Sequence, residues 1–209
     1  MRVTSPRACR LAAIGIICAH AAAAGTVTVT VKTASGAAAA DTLVVLDPLD
    51  ATPAPGHDAA IVDQINKRYV PRVSIVRTGT SVTFPNSDHI RHQVYSFSPA
   101  KTFNLKLYAG SAKEVVVFDR PGLVVLGCNI HDTMVAFVGV VDSPYFGKVT
   151  ESGSVTLEVP SGHYKLRVWQ PALASAPAPR DLEVGSAPAT VALTVQLDPN
   201  RDTVAAWPE

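Results

Sequence analysis

Apolar and polar residues alternate with a period of two over much of the chain. Val27, Val29 and Val31 interleave with Thr26, Thr28 and Thr30, and Val155, Leu157 and Val159 interleave with Ser154, Thr156 and Glu158. The same alternation recurs at Tyr164, Leu166 and Val168, and at Val191, Leu193, Val195 and Leu197. Successive side chains of a strand point to opposite faces, so this pattern predicts strands with one face in a core and the other in water. The middle of the chain reads as shorter, more uniformly apolar strands over residues 73–77, 81–85, 93–97, 115–118, 123–127 and 135–141. Turn signals at Thr78-Gly79 and Arg120-Pro121-Gly122 separate them. One weak helix is expected over residues 58–67, with Ile61, Val62 and Ile65 on one side. Pro/Ala-rich stretches at 51–56 and 171–179 read as loops or linkers.

The first residues break this pattern. Arg2, Arg7 and Arg10 precede an apolar run from Leu11 to Cys18 and small residues up to Ala24, the order of a cleaved export signal. The run is shorter than the roughly 20 apolar residues of a membrane span. Residues 1–24 are therefore expected to leave on export to the periplasm, with no membrane insertion afterwards. Without those three arginines, the 18 Lys+Arg fall to 15 against 17 Asp+Glu, a net charge of about −2. A balance this close to neutral offers no basic footprint for nucleic acid or anionic lipid.

The signal also carries two of the three cysteines, which leaves Cys128 alone. An odd cysteine in an exported protein implies intermolecular pairing, a reactive thiol or a metal ligand. Cys128-Asn129-Ile130-His131-Asp132-Thr133-Met134 gathers the mature chain's one cysteine and one methionine around a histidine. Thiolate, imidazole and thioether together suit copper cycling between Cu(I) and Cu(II), whereas a structural zinc site takes four Cys or His ligands. A second imidazole must come from elsewhere. His92, between a strand ending in Phe84-Pro85-Asn86 and one starting at Gln93, fits that role, with His89 as the competing choice. Met134 is read as the axial ligand on spacing, with core filling as the other use of a methionine.

These residues carry a resemblance. Phe84-x-Asn86-x5-His92-x-Val94 resembles the first-histidine segment of plastocyanins, and Pro121-Gly122-x4-Gly127-Cys128-x2-His131-x2-Met134-x5-Val140 is similar to the ligand loop of cupredoxins, with the short histidine-to-methionine spacing of amicyanin. Nearly the whole mature chain is similar to periplasmic proteins called plastocyanin-like or methylamine-utilisation proteins. The resemblance implies a Greek-key cupredoxin β-sandwich with one type 1 copper. Gln93 stands where plastocyanin and amicyanin have an asparagine that ties the ligand loops, and Asp132 replaces amicyanin's proline after the histidine. Asn86 and Asn129 are candidate donors toward the Cys128 sulfur, or else plain turn residues.

Residues 26–48 and 145–171 together resemble the small Ig-like sandwich of the carboxypeptidase-regulatory, transthyretin-like class. This implies a chain of 25–56 (first strands of the terminal sandwich), 57–142 (copper domain, inserted or packed beside it) and 143–209 (remainder of the sandwich). His57 and His163 are expected to face solvent. Trp169, on the His163 face, would either bind a ligand or cover the sandwich edge. No Ser-His-Asp, paired-carboxylate or phosphate-cradling pattern is visible, so the chain is expected not to be an enzyme. The expected role is electron transfer with redox-protein partners such as a cytochrome or an oxidoreductase. The alternatives are copper capture or delivery, a carbohydrate- or protein-binding module, and an accessory domain on a redox enzyme.

Overall fold

In the computed structural model of the 209-residue chain, residues 24–111, 114–198 and 207–208 are described. Most of the segment read as an export signal lies outside them; Ala24, assigned to that signal, already pairs with Pro160. The described chain is all-β, and none of its elements is a helix long and apolar enough to cross a membrane.

The strands, in chain order, begin with β1 (Ala24–Thr33) and β2 (Leu43–Pro48). Next come β3 (Ala59–Ile61), β4 (Asp63–Gln64), β5 (Tyr69–Val70), β6 (Val73–Arg77), β7 (Thr80–Thr83), β8 (Pro85–Asn86) and β9 (His92–Ser98). β10 (Lys101–Tyr108), β11 (Gly110–Ser111), β12 (Val116–Phe118), β13 (Gly122–Gly127) and β14 (Val135–Val141) complete the middle of the chain. The last are β15 (Phe146–Lys148), β16 (Ser154–Pro160), β17 (Gly162–Trp169), β18 (Arg180–Val184) and β19 (Ala189–Val195).

Strands before residue 49 pair with strands after residue 145. One sheet runs β16-β1-β19 and another β15-β2-β17-β18. Val27, Val29 and Val31 of β1 are buried between these sheets with Val44, Leu46, Leu166 and Val168, as their alternation predicts. Each such side chain stabilises the fold by roughly 1.5–3 kcal/mol. Between these strands lies a second body, with a β10-β9-β13-β14-β6 sheet, a β12-β7-β3 sheet and a small β11-β8-β4-β5 sheet. Its core is built from Val82, Phe84, Val94, Phe118, Val124, Leu126, Val138 and Val140. Gly79 makes the β6-to-β7 turn at φ 95°, and a Cβ there would come within 2.2 Å of the Gly56 carbonyl, so glycine is required twice over.

The helix expected over 58–67 is not there; β3 and β4 occupy it. Ile61 and Ile65 point outward while Val62 and Gln64 are buried, a period of two that three apolar residues were too few to distinguish from a helical face. β3 pairs parallel with β7, and β4 pairs with β5 and β8, which satisfies backbone that a short uncapped helix would leave open. Trp169 also departs from expectation. It is 1% exposed, and packs with Leu43, Val73 and Phe137 in a cluster that joins the two bodies, with Trp207 against it at 5.7 Å between ring centroids. It is neither a ligand-binding aromatic nor an edge cover, because the second body covers that end of the strand. His57 and His163 are exposed as expected, His163 meeting Asp50 at 3.1 Å.

Candidate metal centre

The β-sheet of the second body brings two loops together at one end. β9 opens on His92, whose side chain is fully buried, and β13 delivers Cys128 immediately past its last residue, Gly127. Gly127 is needed for close packing: the Tyr95 ring lies over it, and a Cβ there would meet that ring at 2.7 Å. The 128–134 loop returns to β14 through a tight turn in which the Met134 amide donates to the His131 carbonyl (2.9 Å). Met134 ends the loop buried in the same core cluster as Cys128.

His92, Cys128 and His131 each direct one donor atom into a common space, all within 4.8 Å of one another. His92 Nδ1 lies 4.0 Å from Cys128 Sγ, inside the roughly 4.4 Å that a nitrogen and a sulfur span across one first-row ion. The two imidazoles face each other edge to face, with centroids 5.2 Å apart. His131 is half-buried, and its Nδ1 is buried with no hydrogen-bond partner. A buried ring nitrogen without a partner is costly in a finished fold, and a metal ion is the partner this donor set fits. His89 is exposed on the loop before β9 and takes no part in the cluster.

The polar neighbours divide differently from the sequence reading. Gln93 spans the ligand loops: its Oε1 accepts from Asn129 Nδ2 (2.9 Å) and its Nε2 donates to Asn104 Oδ1 (2.6 Å). Neither asparagine nitrogen is directed to the sulfur. Asn129 Nδ2 is used by Gln93, and Asn86 Nδ2 donates to the carbonyls of Ile90 and Tyr108 (2.9 Å each), while Asn86 Oδ1 accepts from the Asp88 amide. Asn86 therefore closes the 86–92 loop on itself. Asp132 is exposed on the ligand loop.

Asp88 and Tyr69 also reach this end of the body, with no motif to announce them. Asp88 Oδ2 lies 2.7 Å from His92 Nε2, four residues before the histidine, a spacing that could have marked it. Burial alone would raise the Asp88 carboxyl, but the amide of Lys67, the His92 ring and the amide of Asn66 outweigh it and hold the group below the usual carboxylate range. Tyr69, just past the segment expected to be helical, shares its hydroxyl proton between the carbonyls of Gln93 (3.0 Å) and Gly127 (2.9 Å). Burial, and then the nearby Cys128, push its phenol well above the ordinary range. Burial likewise raises Tyr108 to about 12.

No protein-family model matches the sequence, and no curated protein does. Among solved structures, part of the chain is similar to a purple cupredoxin from Nitrosopumilus maritimus, with 26% identity over 40% of this chain and 99% of that one, at a TM-score of 0.35. A pseudoazurin from Methylobacterium extorquens AM1 matches with 26% identity over 41% of this chain and 77% of that one, at a TM-score of 0.35. A Cu-containing nitrite reductase from Thermus scotoductus SA-01 matches with 23% identity over 46% of this chain and a TM-score of 0.37; the chain spans only 27% of that protein. This last match corrects the expectation that the chain is not an enzyme, because a copper-containing reductase stands among the structures it is similar to. The motifs whose absence led to that expectation serve acyl, phosphoryl and acid–base chemistry, and they do not bear on chemistry at a metal.

Proposed function

We propose that this protein is a copper-binding electron-transfer protein of the periplasm, with one type 1 copper that His92, Cys128, His131 and Met134 would hold. The observation that carries the reading is the convergence of two imidazoles and one thiol within 4.8 Å, with the His131 Nδ1 buried and otherwise unpartnered. Copper bound there supplies one-electron oxidation and reduction. The chain's own residues supply a fixed geometry. Cys128 follows directly on a paired strand, the His92 ring is held by Asp88, and the ligand loops are cross-linked by Gln93 and Asn129. Little has to move when the charge at such a centre changes, which favours fast exchange of an electron. His131, the more accessible of the two histidines, gives partners such as a cytochrome or an oxidoreductase their route to the site.

The arginine-led apolar segment at the N-terminus supports export. The pairing of β1 and β2 with β15, β16, β17 and β19 supports reading residues 57–142 as a copper domain inserted in a terminal sandwich.

Titration of the metal-free protein with Cu(II), followed by optical and electron paramagnetic spectra, tests the reading. One equivalent should produce an intense visible band from thiolate-to-copper charge transfer, reversibly bleached on reduction. Colourless binding of Cu(I) alone, readily lost to a chelator, would instead mark a copper-delivery protein.

A further inference from the structure

The β4–β5 hairpin is small, with two residues in each strand, and hairpins of this size have little stability of their own. Its turn is nevertheless sharply defined. Ile65 and Arg68 exchange backbone hydrogen bonds (2.9 and 3.1 Å), and Asn66 and Lys67 both have positive φ, 53° and 58°. A lysine enters that region only when its surroundings hold it there. What holds this turn is Asp88: its Oδ1 accepts from the Asn66 amide (2.6 Å) and its Oδ2 from the Lys67 amide (2.8 Å). The same Oδ2 meets His92 Nε2 at 2.7 Å. Because a carboxylate accepts, the proton of this contact sits on Nε2, and Nδ1 is the ring nitrogen that faces Cys128.

The other strand of the hairpin reaches the second ligand loop. Tyr69 is 2% exposed, and its hydroxyl bridges the carbonyl of Gln93, next to ligand His92, and that of Gly127, next to ligand Cys128. The hairpin is itself stitched to the 85–88 segment. Ser87 donates from its amide to the Gln64 carbonyl (3.0 Å) and from its hydroxyl to Asp63 (2.7 Å), and Gln64 Nε2 donates to the Pro85 carbonyl (3.1 Å).

We infer that this hairpin positions the metal centre before metal arrives: Tyr69 sets the spacing between the His92 and Cys128 strands, and Asp88, seated on the turn amides, fixes the His92 ring with Nδ1 toward the site. Both are positioning residues that do not touch the metal. The inference rests on the copper reading for its consequences, but its first test does not need metal.

That test is amide hydrogen exchange of the metal-free, full-length protein. In Tyr69→Phe and Asp88→Asn, peptides covering residues 89–95 and 126–135 should exchange about tenfold faster, with β1 and β2 unchanged. The Cu(I) dissociation constant, read by competition with a chelator, should rise about 10- to 100-fold in Asp88→Asn and be largely restored in Asp88→Glu. The reduction potential and the visible band should shift with it, whereas Asp119→Asn, which removes a surface carboxylate paired with Lys101, should shift neither. If both variants keep wild-type loop exchange, affinity, potential and spectrum, or lose only global stability, the inference is overturned. Asp88 is partly exposed and outside the core, so its variants decide the matter even if Tyr69→Phe does not fold. A wild-type protein that binds no copper would remove the electron-transfer reading, and the exchange measurement would still decide whether the hairpin orders the loops.

Discussion

Between the sheets of the terminal sandwich the space is filled by valines, leucines and Tyr164, whose hydroxyl reaches out to the Pro160 carbonyl. Its buried polar side chains are partnered: Thr42 donates to Ala39, Ser143 to Leu46 and Gln170 to Ala40. The second body, of comparable strand content, buries Gln64, Thr80, Asn86, Ser96 and His92. Among the described residues, it also holds the buried side-chain polar atoms with no partner: Gln64 Oε1, Arg77 Nε, Thr80 Oγ1 and His131 Nδ1. Burying a polar group without a partner costs on the order of 1–3 kcal/mol in proteins, so one body is built for stability and the other gives some of it up. Gln64 and His131 lie at the end where the donor atoms meet, whereas Arg77 and Thr80 flank the β6-to-β7 turn at the opposite end, so the contrast singles out the body and not the site.

The sharpest way to break the contrast is to exchange the two kinds of damage. Cys128→Ala should abolish the visible band of the copper-loaded protein, checked by optical titration. Leu46→Ala, in the terminal core, should keep the band and lower stability by about 2–5 kcal/mol in denaturant unfolding. A colour change in the leucine variant would show that the two bodies are not energetically separate. Asn86→Ala should cost about 1–3 kcal/mol, because the Ile90 and Tyr108 carbonyls lose their donor. The matching deletion on the terminal sandwich, Thr28→Ala, breaks an exposed pair with Thr156 and should cost only about 0.2–1 kcal/mol.

Met134→Leu nearly conserves volume and should cost less than about 1.5 kcal/mol while keeping the colour and changing the reduction potential, as voltammetry would record. An unchanged potential would return Met134 to the role of core filler. The smallest effect belongs to Lys165→Ala. It removes an exposed pair with Asp181 and should alter stability by no more than about 0.5 kcal/mol.

The long strands and the 128–134 cluster were legible in the sequence because both are local. Val27, Val29 and Val31 declare a face by themselves, and cysteine, histidine and methionine declare a chemistry within seven residues. What escaped depends on neighbours distant in the chain. β10 was missed although Phe103, Leu105 and Leu107 alternate with Thr102, Asn104 and Lys106; at this sheet edge only Leu105 of the three is buried. β3, β4 and β5 are too short for periodicity to speak, and they owe their form to β7 and β8. Trp169 shares a strand face with His163, yet one is buried and the other exposed, because the second body ends part-way along β17. Asp88 is one of 17 acidic residues until the fold sets it against His92.

The chain leaves the terminal sandwich at the end of β2 and returns to it at β15, and Phe146 of β15 pairs with Val45 of β2. Exit and entrance are thus neighbours on one sheet, like the two ends of a cut in a single seam. The long excursion between them therefore closes on itself and leaves the strand order on either side continuous, with Leu43 and Trp169 packed against Val73 and Phe137 where the two bodies meet.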